Sequence, residues 1–284
     1  MNNKNIGILY IVPTPIGNIQ DISDRALNIL KTVHLIIAEN TKYTNNLLKI
    51  LKIKNTIISF HKYNENNQTQ KIISLLKTKT IALVSNAGTP VINDPGYELV
   101  HTCHKENITV IPIPGPCAAI TALSASGLSS NTFYYAGFIP KKKNTRINFL
   151  KKIKNKQTTV ILYESCHRII HTLNDITNIL GSKRKIVFAK EITKKWEKIK
   201  YGTSIQILTW LQKDPCRQKG EITLLIKHKK KKKKIISSKI KKTLHLLIKY
   251  LSMKKSIELI SKIFKIKKND LYKYTINQFQ HDKK

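Results

Sequence analysis

The sequence is short of acid. Its 284 residues carry 16 Asp and Glu against 52 Lys and Arg, a formal net charge of +36. That balance makes nucleic acid or an anionic membrane face the default partner. Arginine is scarce too, at five of the 52 basic residues. The preference for Lys, with abundant Ile and Asn, is the mark of AT-rich codon drift and inflates the excess. Cysteine is limited to Cys103, Cys117, Cys166 and Cys216, with no CxxC pair. A disulfide framework is excluded, and a reducing cytoplasmic setting is expected. His101, Cys103 and His104 lack a second ligand pair at zinc-like spacing, so no metal is expected. Residues 107–140 hold no charged side chain, but Pro112, Pro114, Gly115 and Pro116 break the stretch, so no membrane span is expected. The N-terminus lacks a basic-then-apolar leader pattern. No GxGxxG follows the first apolar run and no GxxxxGK[ST] occurs, which disfavours a dinucleotide fingerprint and a P-loop.

What is present is alternation. Short apolar runs at 6–12, 35–38, 57–59, 80–84 and 108–111 read as strands, and helical spacing follows at 23–33, 41–51, 65–76, 97–105 and 117–126. A second set places strands at 133–136, 159–163, 186–189, 199–201 and 222–226, with helices at 144–153, 167–179 and 204–213. Repeated βα order predicts mostly parallel sheets with helices on both faces. The expected organisation is an α/β domain over 1–118, a second over 119–228, a Lys-rich linker over 229–238 and a helical, helix-turn-helix-like tail over 239–284. Charge follows this division: residues 1–115 net +5, residues 116–228 net +15 and residues 229–284 net +16.

Three turns rich in Pro, Gly and small residues end strands: Pro13 to Asn18, Ser85 to Pro90 with Asp94 shortly after, and Pro114 to Ala119. Open α/β sheets bind ligands at the carboxyl ends of their strands. Proline sets the path of such a loop, and glycine lets a ligand approach the backbone closely.

With these loops stand VPTPIGNIQD at 12–21, AENTK at 38–42, SNAGTPVINDPGY at 85–97, the segment 114–128 and GFIP at 137–140. YESCHR at 163–168, KEITK at 190–194 with Glu197, and Gly220-Glu221 complete the set. In this order they resemble the small-subunit ribosomal RNA methyltransferase I family of the tetrapyrrole-methylase superfamily, along nearly the whole chain. The resemblance implies two α/β domains of the class III methyltransferase type with a cofactor cleft between them. S-adenosyl-L-methionine would be the methyl donor. The reaction it implies is 2′-O-methylation of a decoding-centre cytidine (cytidine 1402) in 16S rRNA, on the small ribosomal subunit, by a homodimer. The implied cofactor residues are Pro13, Pro15, Gly17, Ala87, Gly88, Thr89, Pro90, Asp94, Pro116, Ala118, Ala119, Leu162, Tyr163, Glu221 and Ile222.

A hydroxyl is a poor nucleophile, so a base or an anion-stabilising cation would help the transfer. Candidate bases are Glu164, Glu39 and Glu191, with Glu164 first because it lies in YESCHR. His61 and His167 are further options. Candidate cations are Lys190, Arg168 and Lys194. RNA would meet Lys141, Lys142, Lys143 and Arg146, beside the aromatic Tyr134, Tyr135 and Phe138, and in the tail Lys267, Lys268 and Lys273. Asn40 and Asn86 stand where the family usually has Asp, and Lys42 and Lys190 where it favours Arg. Two other readings stay open: a non-catalytic basic RNA- or DNA-binding protein, and a tetrapyrrole C-methylase.

Removing residues 229–284 is expected to weaken rRNA binding and flatten its salt dependence while leaving cofactor binding intact. Filter binding at several salt concentrations and calorimetry with S-adenosylmethionine check both halves; lost cofactor affinity would contradict the division.

Overall fold

In a computed structural model, residues 7–229 and 236–281 are described. They form two compact units, one ending at Lys229 and one beginning at Lys230. The first unit contains two five-stranded sheets.

The first sheet comprises β1 (Ile8–Val12), β2 (Leu35–Ala38), β3 (Ile57–Ser59), β4 (Ile81–Val84) and β5 (Thr109–Pro112). All pairings are parallel, in the order β3-β2-β4-β1-β5. Strands β2 and β4 are uninterrupted apolar runs because both faces are covered. Leu35 and Ile37 face one way, into a core with Phe60, Leu76 and Leu99. Ile36 and Ala38 face the other way, toward Ala26, Leu30 and Leu48. The first core is built with α3 (Glu65–Leu76) and α4 (Tyr97–Lys105), the second with α1 (Asp24–Thr32) and α2 (Thr41–Ile50). The helix starts are specified locally: the Ser23 side chain caps α1, and Asn40 Oδ1 accepts from the Tyr43 amide to cap α2. Asn40 thus keeps the capping acceptor that an Asp would supply.

The second sheet comprises β6 (Phe133–Phe138), β7 (Thr159–Ser165), β8 (Lys185–Lys190), β9 (Lys198–Thr203) and β10 (Glu221–Ile226). Its order is β6-β7-β10-β8-β9, and only β6 and β7 pair in parallel. The expectation of mostly parallel pairing therefore holds for the first sheet alone. Strand β10 arrives last and inserts between β7 and β8, antiparallel to both, a placement that no local pattern encodes. One face of this sheet packs on α6 (Lys143–Ile153), α7 (Ile169–Leu180) and α8 (Ser204–Gln212) through Leu162, Phe188 and Leu224. The other face, with Ile161, Val187 and Leu225, packs on α5 (Ala118–Ser124) and on Ile16 from the loop after β1. That contact joins the two sheets.

The second unit is a three-helix bundle of α9 (Ser238–Tyr250), α10 (Met253–Phe264) and α11 (Lys268–His281) around Leu244, Ile257, Ile260, Ile266 and Leu271. Apart from Lys229, the lysine run at 229–234 lies outside the described residues, as does Ile6 of the first expected strand. Among the described residues no helix is long and apolar enough to cross a membrane, and no group of three His, Cys, Asp or Glu side chains is placed to hold a metal ion.

Gly96 begins α4 at φ +128°, and a Cβ there would lie 2.6 Å from Leu83 Cδ2. Gly96→Ala combines backbone strain with a clash in the core, so a loss of about 2–3 kcal/mol is expected in urea unfolding.

Candidate active site

The order β4-β1-β5 sets three of the Pro/Gly loops side by side. They are then laced together. The Thr14 amide donates to the Gly88 carbonyl at 3.0 Å, and the Gly88 amide donates to the Thr14 carbonyl at 2.9 Å. Thr14 Oγ1 donates to the Ser85 carbonyl at 3.1 Å, and Thr89 Oγ1 donates to the Pro116 carbonyl at 2.9 Å. Gly88, at φ +85°, takes a conformation that costs glycine little.

Between these loops and the second sheet lies a cavity of about 430 Å³, within the range of small-molecule sites, roughly 300–1,000 Å³. Its ionisable lining is Glu39, Asp94, Glu164, Glu221 and His167, with Cys117, Cys166 and Tyr163, and among the described residues no Lys or Arg contributes. In a chain of net charge +36 this is a local concentration of carboxylate; Glu164 and Glu221 are paired from behind the lining by Arg168 and Lys194, which leaves Glu39 and Asp94 without a cationic partner among the described residues. Asn86 Nδ2 donates to Glu39 Oε2 at 2.9 Å, whereas Asn86 Oδ1 is buried without a partner. Burial, then the nearby Glu39 charge, push the Asp94 carboxyl up to about 6, against a smaller opposing hydrogen bond from Ser85. Tyr163 closes one side, its hydroxyl accepting from the Ala119 amide at 3.0 Å and its ring edge-on to Tyr135 and Phe138 at 5.5 Å each. Desolvation by burial holds the Tyr163 phenol far above its ordinary range. Positive φ recurs in both walls, at Val91 and Asn93 (+72° and +70°) and at Glu191 and Thr193 (+50° and +66°). Such strain persists only where the surroundings over-determine the backbone, as binding sites do.

The model of the tetrapyrrole (corrin/porphyrin) methylases matches residues 8–207. A ribosomal RNA small subunit methyltransferase I of Buchnera aphidicola from Schizaphis graminum is 53% identical, with 98% of this chain and 99% of the relative covered. One from Escherichia coli O157:H7 is 46% identical, with 96% of each covered. Among solved structures, a diphthine synthase aligns with TM-score 0.61 at 13% identity over 78% of this chain and 90% of the other, which bears on the fold alone. The chain belongs to the ribosomal RNA small subunit methyltransferase I family, within the tetrapyrrole methylases.

As a member of that family, the chain places its expected residues in two layers. Ala87, Gly88, Thr89, Asp94, Ala118, Tyr163, Glu221 and Ile222 line the cavity, as do Glu39 and Glu164. Pro13, Pro15, Gly17, Pro90, Pro116, Ala119 and Leu162 do not line it. Most of these act one layer back. A Cβ on Gly17 would meet Lys194 Cγ at 2.4 Å and Thr193 Oγ1 at 2.6 Å, so Gly17 permits the close approach of the loop after β1 to the loop between β8 and β9. Pro13 packs under Gly115, and Leu162 points to the opposite face of its sheet. Asn93, Phe138, Cys166 and Thr223 also line the cavity. The first three lie in or beside the quoted segments, and Thr223 was detectable only as the inward alternate of a strand.

The catalytic candidates separate sharply. The Glu164 side chain is 0% exposed. Its Oε1 accepts from Arg168 Nη2 at 2.7 Å and from the Ser165 amide at 2.6 Å, and its Oε2 accepts from Thr172 Oγ1. Both oxygens are committed, so Glu164 orients Arg168 and the β7 end rather than standing ready to take a proton. Lys190 is buried, its Nζ donating to the carbonyls of Cys216 at 3.0 Å and Arg217 at 3.4 Å. Glu191 accepts from the Glu221 amide at 2.8 Å and pairs with Lys194 at 3.2 Å, which holds its carboxyl below the usual range despite burial's opposing effect. Arg146 is buried against Asp175 at 2.7 Å, so it braces α6 on α7 and is withdrawn from phosphate. Lys141, Lys142 and Lys143 remain exposed, as do Lys267, Lys268 and Lys273 in the tail, with Lys268 paired to Glu258 at 3.0 Å. His61 belongs to the first domain, away from the lining.

S-adenosylmethionine fits the residues present. The carboxylates match its positive sulfur and ammonium, small side chains leave room for a flat ring, and the orphaned Asn86 Oδ1 awaits a donor. Because folding raises the Asp94 pKa, its proton is bound more tightly in the native state, and its contribution to stability is lost as pH rises from about 4 to about 6. Asp94→Asn is therefore expected to raise the melting temperature at pH 7.5, with the gain vanishing near pH 4. Thermal unfolding at the two pH values checks it.

Proposed function

We propose that this protein uses S-adenosylmethionine to methylate the ribose 2′-hydroxyl of a decoding-centre cytidine in 16S rRNA. The observation that carries the reading is the acid-lined cavity at the strand ends of an otherwise cationic protein. A nucleotide-phosphate site would call for the opposite sign. The names of the relatives, ribosomal RNA small subunit methyltransferase I, support the RNA substrate and the small subunit. A homodimer and a cytoplasmic setting accompany the proposal.

The cofactor supplies a methyl group made electrophilic by a positive sulfur. Ala87, Gly88, Thr89 and Ala118 offer backbone and small side chains on one wall, and Tyr163, Glu221 and Ile222 form the other. Positioning the hydroxyl oxygen about 3–3.5 Å from the reacting carbon supplies much of the acceleration. Asp94 Oδ accepts the hydroxyl proton. Its pKa of about 6 leaves it ionised at neutral pH and closer to the operating pH than an ordinary carboxylate. Glu39, held by Asn86, maintains that elevation. An Asp at position 86 would set a third carboxyl beside this pair, so Asn86 is compatible with the chemistry.

Methyl transfer to purified small subunits lacking the modification, with the nucleotide mapped, tests the reading; no transfer, or transfer to a base, would overturn it. The rate is expected to rise with pH through an apparent pKa of about 6. Asp94→Asn should lower kcat by roughly 10²–10⁴-fold and abolish that limb, while Glu39→Gln should move the limb to lower pH.

A further inference from the structure

A second concavity, of about 680 Å³, shares Gly220 with the lining of the first but differs from it in chemistry. Its rim carries Trp196, 69% exposed, with Lys195 Nζ at 5.3 Å from the ring centre. The indole stands on a braced loop: the Glu197 carboxylate accepts from the Thr193 amide at 2.6 Å, and the Glu197 and Lys194 amides donate to the Lys194 and Glu191 carbonyls at 3.0 and 2.9 Å. The loop therefore presents a large aromatic ring to solvent on a braced backbone.

Two of the three acids of this groove have cationic partners, and the third is engaged by backbone. Glu191 pairs with Lys194, Asp214 pairs with Arg217 at 3.2 Å and caps the Cys216 amide, and Glu197 holds its own loop. Lys198 and Lys219 line the same groove, are exposed, and have no carboxylate partner among the described residues. An exposed indole beside uncommitted ammonium groups is the pairing that holds unstacked nucleotides: the ring takes a base face and the lysines take backbone phosphate.

Resting on the methylation reading, we propose that this groove binds a single-stranded RNA nucleotide flanking the reacting ribose, its base stacked on Trp196 and its phosphates held by Lys198 and Lys219. Gly220 lies in the lining of both cavities, so a strand crossing it delivers one nucleotide to the acid-lined site and a neighbour to the indole. The cationic groove attracts the backbone while the acidic cavity, hostile to phosphate, is left to the cofactor and the ribose.

The chain has two tryptophans; Trp210 also lines the groove, with the Arg217 guanidinium over its ring, so Trp210→Phe, which keeps an aromatic ring there, leaves Trp196 as the sole reporter. Adding oligocytidylate to that variant is expected to quench the indole emission, with duplex RNA of equal length quenching far less. In the otherwise native chain, Trp196→Ala should weaken oligocytidylate binding and raise the KM for small subunits by roughly 5- to 100-fold, with kcat and S-adenosylmethionine affinity little changed. Trp196→Phe should recover most of the loss. Lys198→Ala with Lys219→Ala should reduce the slope of log affinity against log salt by about one to two. Unchanged RNA affinity in Trp196→Ala would overturn the proposal, and so would unchanged RNA affinity accompanied by loss of self-association, which would make the groove a protein interface. Quenching by oligocytidylate in a protein that transfers no methyl group would uphold the groove and sink the methylation reading instead.

Discussion

The reciprocal hydrogen bonds between Thr14 and Gly88 are the constraint on which the rest of the site depends. They form an isolated antiparallel bridge just past the parallel β1–β4 ladder, so the two loops leave their strands as a joined pair. Thr14 Oγ1 and Ser85 Oγ reinforce the join from the side, and Thr89 carries it on to the loop after β5. The loop after β1 is thereby held so that Ile16 enters the core of the second sheet and Gly17 comes against the loop between β8 and β9. One local pairing thus sets the cavity, the contact between sheets and the position of the strained wall opposite. In Pro-Thr-Pro-Ile-Gly each residue has a separate part: proline stiffens, threonine bridges, isoleucine docks, and glycine allows the approach.

Charge is partitioned as sharply as shape. Four carboxylates line the cavity of a chain with more than three basic residues for every acid. Several cations that the motifs suggested for the reaction are turned elsewhere: Lys190 to backbone carbonyls, Lys194 to Glu191 and Glu221, and Arg168 to Glu164. Such pairs stabilise architecture where they are desolvated, because removing one partner would leave the other charged and buried; Arg168 still keeps Nη1 buried without a partner among the described residues. Of the four lining carboxylates, Glu164 and Glu221 are held by cations, and Glu39 and Asp94 are not. Asp94 is the clearest, since burial first and the neighbouring Glu39 charge second disfavour its ionised form.

The same logic gives the loop between β8 and β9 two faces. Its inner side, through Thr193 and Lys194, is clamped to Asn18 and Glu221 and closes the domain contact. Its outer side displays Trp196. Positive φ at Glu191 and Thr193 is the conformational cost of facing both ways within a few residues.

Local patterning in the sequence determined most of the elements, because apolar runs with β-branched residues and helical spacing with Ser or Asn caps are decided by near neighbours. The expected strand at 35–38 and the helices at 65–76 and 97–105 coincide with β2, α3 and α4. The Pro/Gly loops at the strand ends were legible for the same reason, since Pro and Gly constrain the chain wherever they occur. Only the tertiary structure decided which of those loops touch, that β10 enters the second sheet antiparallel, and which members of each motif face the cavity. It also decided what the ionisable groups are for: Glu164, Lys190 and Arg146 are chemically plausible reagents in one dimension, yet each is committed to partners far enough along the chain, or brought close only by packing, that no spacing rule foretells it. A side chain's type sets what it can do, but burial and the identity of its neighbours set what remains free to react, and both are properties of the folded chain.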